Sequence, residues 1–435
     1  MTLSALDAGR PPAGGAATAP LDDDAVAVLR RDFPLLSRTV GDAPLAYLDS
    51  GATAQRPRSV LDAERAFLET SNAAVHRGAH TLASEATDAF EDARAAVAAF
   101  VGREPEELVW TRNATEAINL VAIGLSDPAS GTPLLGAGDE VLVTEAEHHA
   151  NLVPWQQACA RSGARLRWIP LGEDGRLDLS GLADLVTPRT RVVAFTHASN
   201  VLGSVTDVAA LVAAARSVGA LTVLDACQTA PHQPLDLAAL GVDFAAFSAH
   251  KMLGPNGIGA LAARAEALAT LPPVLTGGSM VDTVTMELTT FREPPQRFEA
   301  GTQAVSQAVA WHAAVRYLEA VGMDRVAAWE HELTLRLLQG VADLPGIRVI
   351  GPVDAADRVG AVSVAVDGVH PHDVGQVLDA AGVAVRVGHH CAQPVHRHYG
   401  VTASTRASVA LYTTTDEVDR FLDALSGVRA WFGRA

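Results

Sequence analysis

The chain has 435 residues, 49% apolar and only 5% aromatic; this is more than one hydrophobic core usually fills, so two domains of α/β type are expected. Fifty Asp and Glu against 33 Lys and Arg give a formal charge of −17, which opposes the attraction that nucleic acid or anionic lipid requires and excludes both as expected partners. No apolar run reaches the roughly 18 residues of a membrane span and no secretory leader pattern opens the chain, while the scattered Cys159, Cys227 and Cys391 cannot build a disulfide framework; a cytoplasmic protein with free thiols is expected.

Residues 1–20 are dominated by small residues, Gly and Pro and read as a disordered tail. Beyond residue 46, short β-rich runs alternate with Ala/Leu-rich helical stretches. The run Thr111-Arg112-Asn113-Ala114-Thr115-Glu116 precedes an amphipathic pattern with Ile118, Val121 and Leu125. That marks a helix N-terminus, whose amides together with the Thr115 hydroxyl suit a phosphate, although simple capping is the commoner use of such residues. A strand over Val141–Val143 leads into Glu147-His148-His149-Ala150-Asn151. One histidine there can stack on an aromatic ring and move protons, and a structural role is the default for His149. Cys159 lies further on, on a helix.

Further strands are expected over Val192–Phe195, Thr222–Leu224, Phe244–Phe247 and Ile258–Ala262. Asp225 ends one of them, where a carboxylate either pairs with the ring nitrogen of a pyridine cofactor or caps the next helix, and Gln228 is within reach of a ring oxygen. Ser248 and His250 flank the start of Ala249-His250-Lys251 with phosphate donors, and a partly desolvated Lys251 is a Schiff-base nucleophile; an ordinary loop lysine among turn-forming glycines is the other reading. Near residue 300 the composition shifts to one long helical stretch, Val305 to Leu344, and then to strands over Ala361–Val366 and Val383–Val387 of a second, smaller domain. Cys391, between Gly388 and Pro394, falls on a loop beside histidines and Arg386, surroundings that favour thiolate, and Arg406 is placed to clamp a carboxylate with two hydrogen bonds. Zinc held by His389, His390, Cys391, His396 and His398 is a rival reading whose spacings match no common site; no resident metal is expected.

Taken together, these clusters resemble fold-type I pyridoxal-phosphate enzymes of aminotransferase class V. The segments Tyr47-Leu48-Asp49-Ser50-Gly51-Ala52, Ala74-Val75-His76-Arg77-Gly78, Glu147 through Asn151, Ser199-Asn200-Val201-Leu202-Gly203, Arg297 through Thr302 and Arg386 through Pro394 are similar to group II, Suf-type cysteine desulfurases. The resemblance implies a large domain over 46–300 with a mostly parallel seven-stranded sheet flanked by helices. A smaller α/β domain over 301–435 would carry the cysteine loop, with an N-terminal segment, 21–45, packed on it. It implies a homodimer in which Lys251 carries pyridoxal 5'-phosphate, His148 stacks and relays protons, Asp225 holds the ring nitrogen and Gln228 the 3-oxygen. The phosphate would be held by Thr115 beside Ala114, by Ser248 and His250, and by Thr302 of the other subunit. Asn200, Arg406, Arg386 and His76 would bind L-cysteine, and Cys391 would take its sulfur as a persulfide, releasing L-alanine, for delivery to an acceptor that serves iron–sulfur cluster assembly. His372 resembles the position at which enzymes served by a zinc-containing Suf acceptor carry a histidine that replaces a ligand of the acceptor's metal. Alternatives within the resemblance are selenocysteine lyase, cysteine sulfinate desulfinase or another class V aminotransferase or lyase; a catalytically silent scaffold of an assembly complex is the alternative outside it.

Overall fold

The computed structural model describes residues 19–127 and 134–433; the expected disordered tail over 1–20 lies outside them except for its last two residues. Seven strands form the main sheet: β1 (Leu108–Thr111), β2 (Glu140–Thr144), β3 (Arg165–Ile169), β4 (Thr190–Thr196), β5 (Leu221–Asp225), β6 (Phe244–Ser248) and β7 (Gly259–Ala263). Their spatial order is β1-β7-β6-β5-β4-β2-β3. All neighbours run parallel except β7, which is antiparallel to both β1 and β6. This is the mostly parallel seven-stranded α/β sheet that the sequence led us to expect. Helices such as Ala114–Ser126, Val153–Ser162 and Val208–Ser217 flank it, which is why β2, β6 and β7 are buried along their whole length and read as continuous apolar runs.

The sequence reading missed two strands of this sheet and, in the smaller domain, those over Ile347–Ile350 and Ser404–Ser408. In β3 the arginines at 165 and 167 interrupt the apolar pattern, as an edge strand permits, and β1 is only four residues long. The long helical stretch is two helices, Val305–Val321 and Met323–Ala342, because Gly322 adopts a left-handed φ of 92° between them. A second sheet of four antiparallel strands comes next: β8 (Ile347–Ile350), β9 (Ala361–Val366), β10 (Arg386–Gly388) and β11 (Ser404–Ser408), in the order β8-β9-β11-β10. The expected strand over Val383–Val387 is divided. Val383–Ala384 pairs in parallel with Ala46–Tyr47, and only then does the chain enter β10.

The segment Asp23–Ser37 lies against the C-terminal part of the chain: the Phe33 ring packs 4.8 Å from that of Tyr412, and Arg30 donates to the Tyr412 carbonyl and to Glu417. Among the described residues no helix is long and apolar enough to cross a membrane.

Two features of the fold place the site. The carboxyl ends of β1, β2, β4, β5 and β6 open on one side of the main sheet, where ligands of such sheets bind. The small sheet then sets β10 and β11 against that edge, with Arg386 directly opposite Arg406 in register.

Candidate active site

A cavity of about 290 Å³ lies between the two sheets, lined by Ala114, Thr115, His148, Asn200, Asp225, Gln228, Ser248, His250, Lys251, Arg386, Cys391 and Arg406. Residues scattered over nearly 300 positions of sequence therefore face one space.

At one end stands the N-terminus of the helix Ala114–Ser126, capped by Asn113, whose side chain accepts from the Glu116 amide. The helix starts close to the main sheet because Gly259 allows it: a Cβ there would lie 2.5 Å from the Asn113 Cα. The Ala114 N–H donates to Ser248 Oγ at 2.9 Å. Ala114 lines the cavity as expected of its position, with its N–H engaged by Ser248. Thr115, Ser248, His250 and the positive helix end are the groups here that could cradle an anion. Burial, followed by the nearby Lys251 and Arg56 charges, lowers His250 to about 4, so its ring is neutral at pH 7.

Asp225 ends β5, and one carboxylate oxygen accepts from the Cys227 N–H at 3.0 Å; a turn follows and the next helix, Leu237–Leu240, is capped by Asp236, so Asp225 is not a helix cap. Gln228 donates one amide hydrogen to the Gly51 carbonyl, 3.0 Å away, and keeps a second. Lys251 sits at the end of the short helical turn Ala249–Lys251 that succeeds β6. His148 faces it. Burial, with the Lys251 charge next, lowers this histidine to about 4, and its Nδ1 accepts from the Ala150 N–H at 3.0 Å. The neutral ring therefore carries its proton on Nε2.

Beneath His148, the fully buried Glu147 carboxyl group accepts from Thr144 Oγ1 (2.6 Å), Asn151 Nδ2 (2.7 Å) and the Thr196 N–H (2.9 Å). It thereby ties the ends of β2 and β4 to the histidine turn. Burial pushes this carboxyl up to about 8, against all three donors. Sequence reasoning assigned Glu147 no role, since the Thr196 amide that joins its local partners Thr144 and Asn151 is beside it only once β2 and β4 are paired.

The opposite end is built by the small sheet. Arg406, on β11 and only 2% exposed, donates through Nη1 to the Asn200 carbonyl and through Nη2 to Asp49, which also lies 3.7 Å from Arg386. Asp49 is a functional neighbour that sequence reasoning did not single out. Asn200 departs from expectation in one respect: its Nδ2 donates to the His390 carbonyl at 2.7 Å, and flipping the amide would bring two oxygens together. Its Oδ1 and the Arg406 Nε are buried atoms with no hydrogen-bond partner. In a folded interior such atoms are rare and point to a ligand surface.

Cys391 is exposed at the cavity mouth, whereas Cys159 and Cys227 are buried. Burial pushes Cys159 up to about 11 and Cys227 upward as well, with Asp225 adding to the latter, so both stay protonated thiols. The rival zinc grouping is not assembled. His390 and His396 both contact Ser404 Oγ, His389 Nδ1 accepts from the Cys391 N–H, and His398 points toward Glu145. Among the described residues no three potential ligands are gathered to hold an ion.

Three candidates lie away from the cavity. His76 is tied to Glu91 at 2.8 Å and lines no part of this chain's pocket, so within one chain it does not meet substrate. Thr302 is exposed on a segment outside the pocket, and its expected target was a second subunit. His372 is exposed on the first turn of the helix Pro371–Ala380.

A primary amine, a carboxylate, a neutral imidazole, an anion cradle and a buried guanidinium with an unpaired N–H are the donor set that an anionic pyridine aldehyde and an amino-acid carboxylate require. The residues present fit pyridoxal phosphate.

Comparison with known proteins agrees. Residues 46–421 match the aminotransferase class-V family model. The chain is 56% identical over 416 residues, 95% of its length and 98% of the relative's, to a probable cysteine desulfurase 2 of Mycobacterium leprae. Among solved structures it is similar to a cysteine desulfurase from Escherichia coli in its S-sulfonic acid form (36% identity, TM-score 0.85, covering 93% of this chain and 98% of that one). It is also similar to the apo cysteine desulfurase of Thermococcus onnurineus (37%, TM-score 0.88, covering 94% and 98%). The chain belongs to the aminotransferase class-V family, with pyridoxal phosphate as its cofactor and cysteine desulfurases as its homologues.

Proposed function

We infer that this chain is a cysteine desulfurase that moves the sulfur of L-cysteine to Cys391, leaves L-alanine, and passes the sulfur to an acceptor protein for iron–sulfur cluster assembly. The observation that carries the reading is the position of Cys391, the one exposed thiol, at the mouth of a cavity that also holds Lys251, Asp225 and Arg406.

Bound pyridoxal phosphate supplies an electron sink that weakens bonds at the substrate's α- and β-carbons. Lys251 would hold it covalently, and its amine would move the substrate's α-proton. Asp225 would keep the ring nitrogen protonated, Gln228 would offer its free amide hydrogen to the 3-oxygen, and Ser248, His250 and Thr115 would hold the phosphate. His148, neutral with its proton on Nε2, would give and regain that proton in the cavity. Arg406 binds the substrate carboxylate through its unpaired Nε–H and a neighbouring N–H, Arg386 adds positive charge, and Asn200 braces both Arg406 and the cysteine loop. The Cys391 thiolate attacks the substrate sulfur. As the S–S bond forms, the substrate C–S bond breaks and leaves its electron pair on the carbon skeleton, which takes up a proton to become alanine. Cysteine and enzyme thiol thus yield alanine and enzyme persulfide with atoms and electrons balanced.

Incubating the yellow purified protein with L-cysteine alone is expected to give one alanine per Cys391 and a mass increase of one sulfur atom on the Cys391 peptide; alanine without added sulfur, or no alanine, would sink the reading.

The remaining assignments belong to the same proposal. The enzyme acts in the cytoplasm as a homodimer, with Thr302 serving the phosphate of a second copy's site, a role compatible with its exposure outside its own pocket. The acceptor is of the zinc-containing Suf type, recognised in part by His372, an exposed imidazole on a helix that packs against β10. His372→Ala is expected to slow turnover with that acceptor roughly ten-fold or more, the scale on which altering a metal's ligand surroundings acts, while turnover driven by a small thiol reductant stays the same. Full acceptor-dependent turnover in the variant would rule out the role.

A further inference from the structure

The nucleophile's loop is held in an unfavourable shape. His390 and Cys391 have φ of 49° and 57° in succession, a left-handed conformation that L side chains rarely adopt, so neighbours must impose it. Asn200 holds one point, the His390 carbonyl. The others converge on His149, the histidine that sequence reading treated as structural. Its backbone N–H donates to the Cys391 carbonyl at 2.6 Å. Its Nε2 accepts from the Gln393 N–H at 3.2 Å, and its ring packs against His389, centroids 5.6 Å apart. His389 in turn accepts the Cys391 N–H.

We infer that His149 is a positioning residue for the sulfur-accepting thiol, clasping the Cys391 loop on both sides of the nucleophile while its neighbour His148 faces the cofactor. The inference rests on the reading of Cys391 as sulfur acceptor. One turn, anchored below by Glu147, thereby fixes the two reacting partners relative to each other: His148 at the cavity wall and the thiol at its mouth. The clasp requires Nε2 to be an acceptor and hence the ring to be neutral with its proton on Nδ1. Burial, followed by His389, lowers this group from the ordinary histidine value, which is the state the clasp needs.

Two variants separate the bond from the packing. His149→Phe keeps a ring against His389 but cannot accept from Gln393; His149→Gln loses the ring but keeps an acceptor. Both are compared with the wild-type holoenzyme in two assays, alkylation of Cys391 by iodoacetamide, read on the Cys391 peptide, and steady-state desulfuration of L-cysteine. In the Phe variant the freed loop is expected to react roughly three- to ten-fold faster with iodoacetamide while kcat falls by a similar factor and KM is unchanged, the span one net hydrogen bond supports. The Gln variant is expected to stay near wild type in both. Equal rates in the Phe variant, a parallel fall of alkylation and turnover, or failure of the Gln variant to restore them would overturn the clasp. If the wild type itself forms no alanine, the desulfurase reading fails while the alkylation rates still decide whether His149 holds the loop.

Discussion

Lys251→Ala protein is expected to leave a desalting column colourless and to release alanine from L-cysteine at least about a thousand-fold more slowly than wild type. Two losses combine. Without the amine there is no covalent tether, and the cofactor must rely on the anion cradle and Asp225 alone. The group that moves the α-proton also disappears, and a positioned acid–base residue by itself contributes roughly 10²–10⁴ in rate. No other lysine can substitute, since Lys251 is the only lysine in the sequence. The absorbance reading needs no turnover, so it separates a broken site from a wrong substrate. A yellow, cysteine-active Lys251→Ala protein would remove Lys251 from the centre of the site.

The sheet's catalytic edge was legible because parallel strands buried on both faces read as apolar runs that stop abruptly at polar residues. Asp225, Ser248 and the Glu147–Asn151 turn each stand at such a stop, and each lines or underlies the cavity. What periodicity could not convey is pairing across long separations. Glu147 reads as one more acidic residue until Thr196 is brought beside it by the β2–β4 pairing. His149 reads as structural because its partners, Cys391 and Gln393, lie more than 240 residues away in a loop whose left-handed backbone has no glycine to announce it. The engaged amide of Asn200 was hidden for the same reason: residue type says what a side chain can donate, and only the fold says where the donor is already used. His76 and Thr302 mark the opposite limit: both were carried over from a resemblance, and neither lines this chain's cavity.

Cys391→Ala is expected to cut alanine formation from L-cysteine by at least about a hundred-fold while leaving the colour of the bound cofactor and its response to added substrate unchanged, because a positioned nucleophile sets the barrier to sulfur transfer but touches neither ring nor carboxylate. The loop should survive the change. The bonds at this position are made by the backbone, through the Cys391 N–H and carbonyl, and alanine meets the same left-handed φ that cysteine already tolerates. A lost rate can then be assigned to the sulfur atom and not to collapse of the mouth. Selenocysteine sharpens the comparison, since its weaker carbon–chalcogen bond asks less of the attacking thiol and its turnover should fall less. If both substrates lose rate equally, the thiol is acting on something common to both, such as the shape of the mouth. If neither loses rate, Cys391 is incidental, and the site is that of a class V aminotransferase or lyase that has a thiol at its entrance.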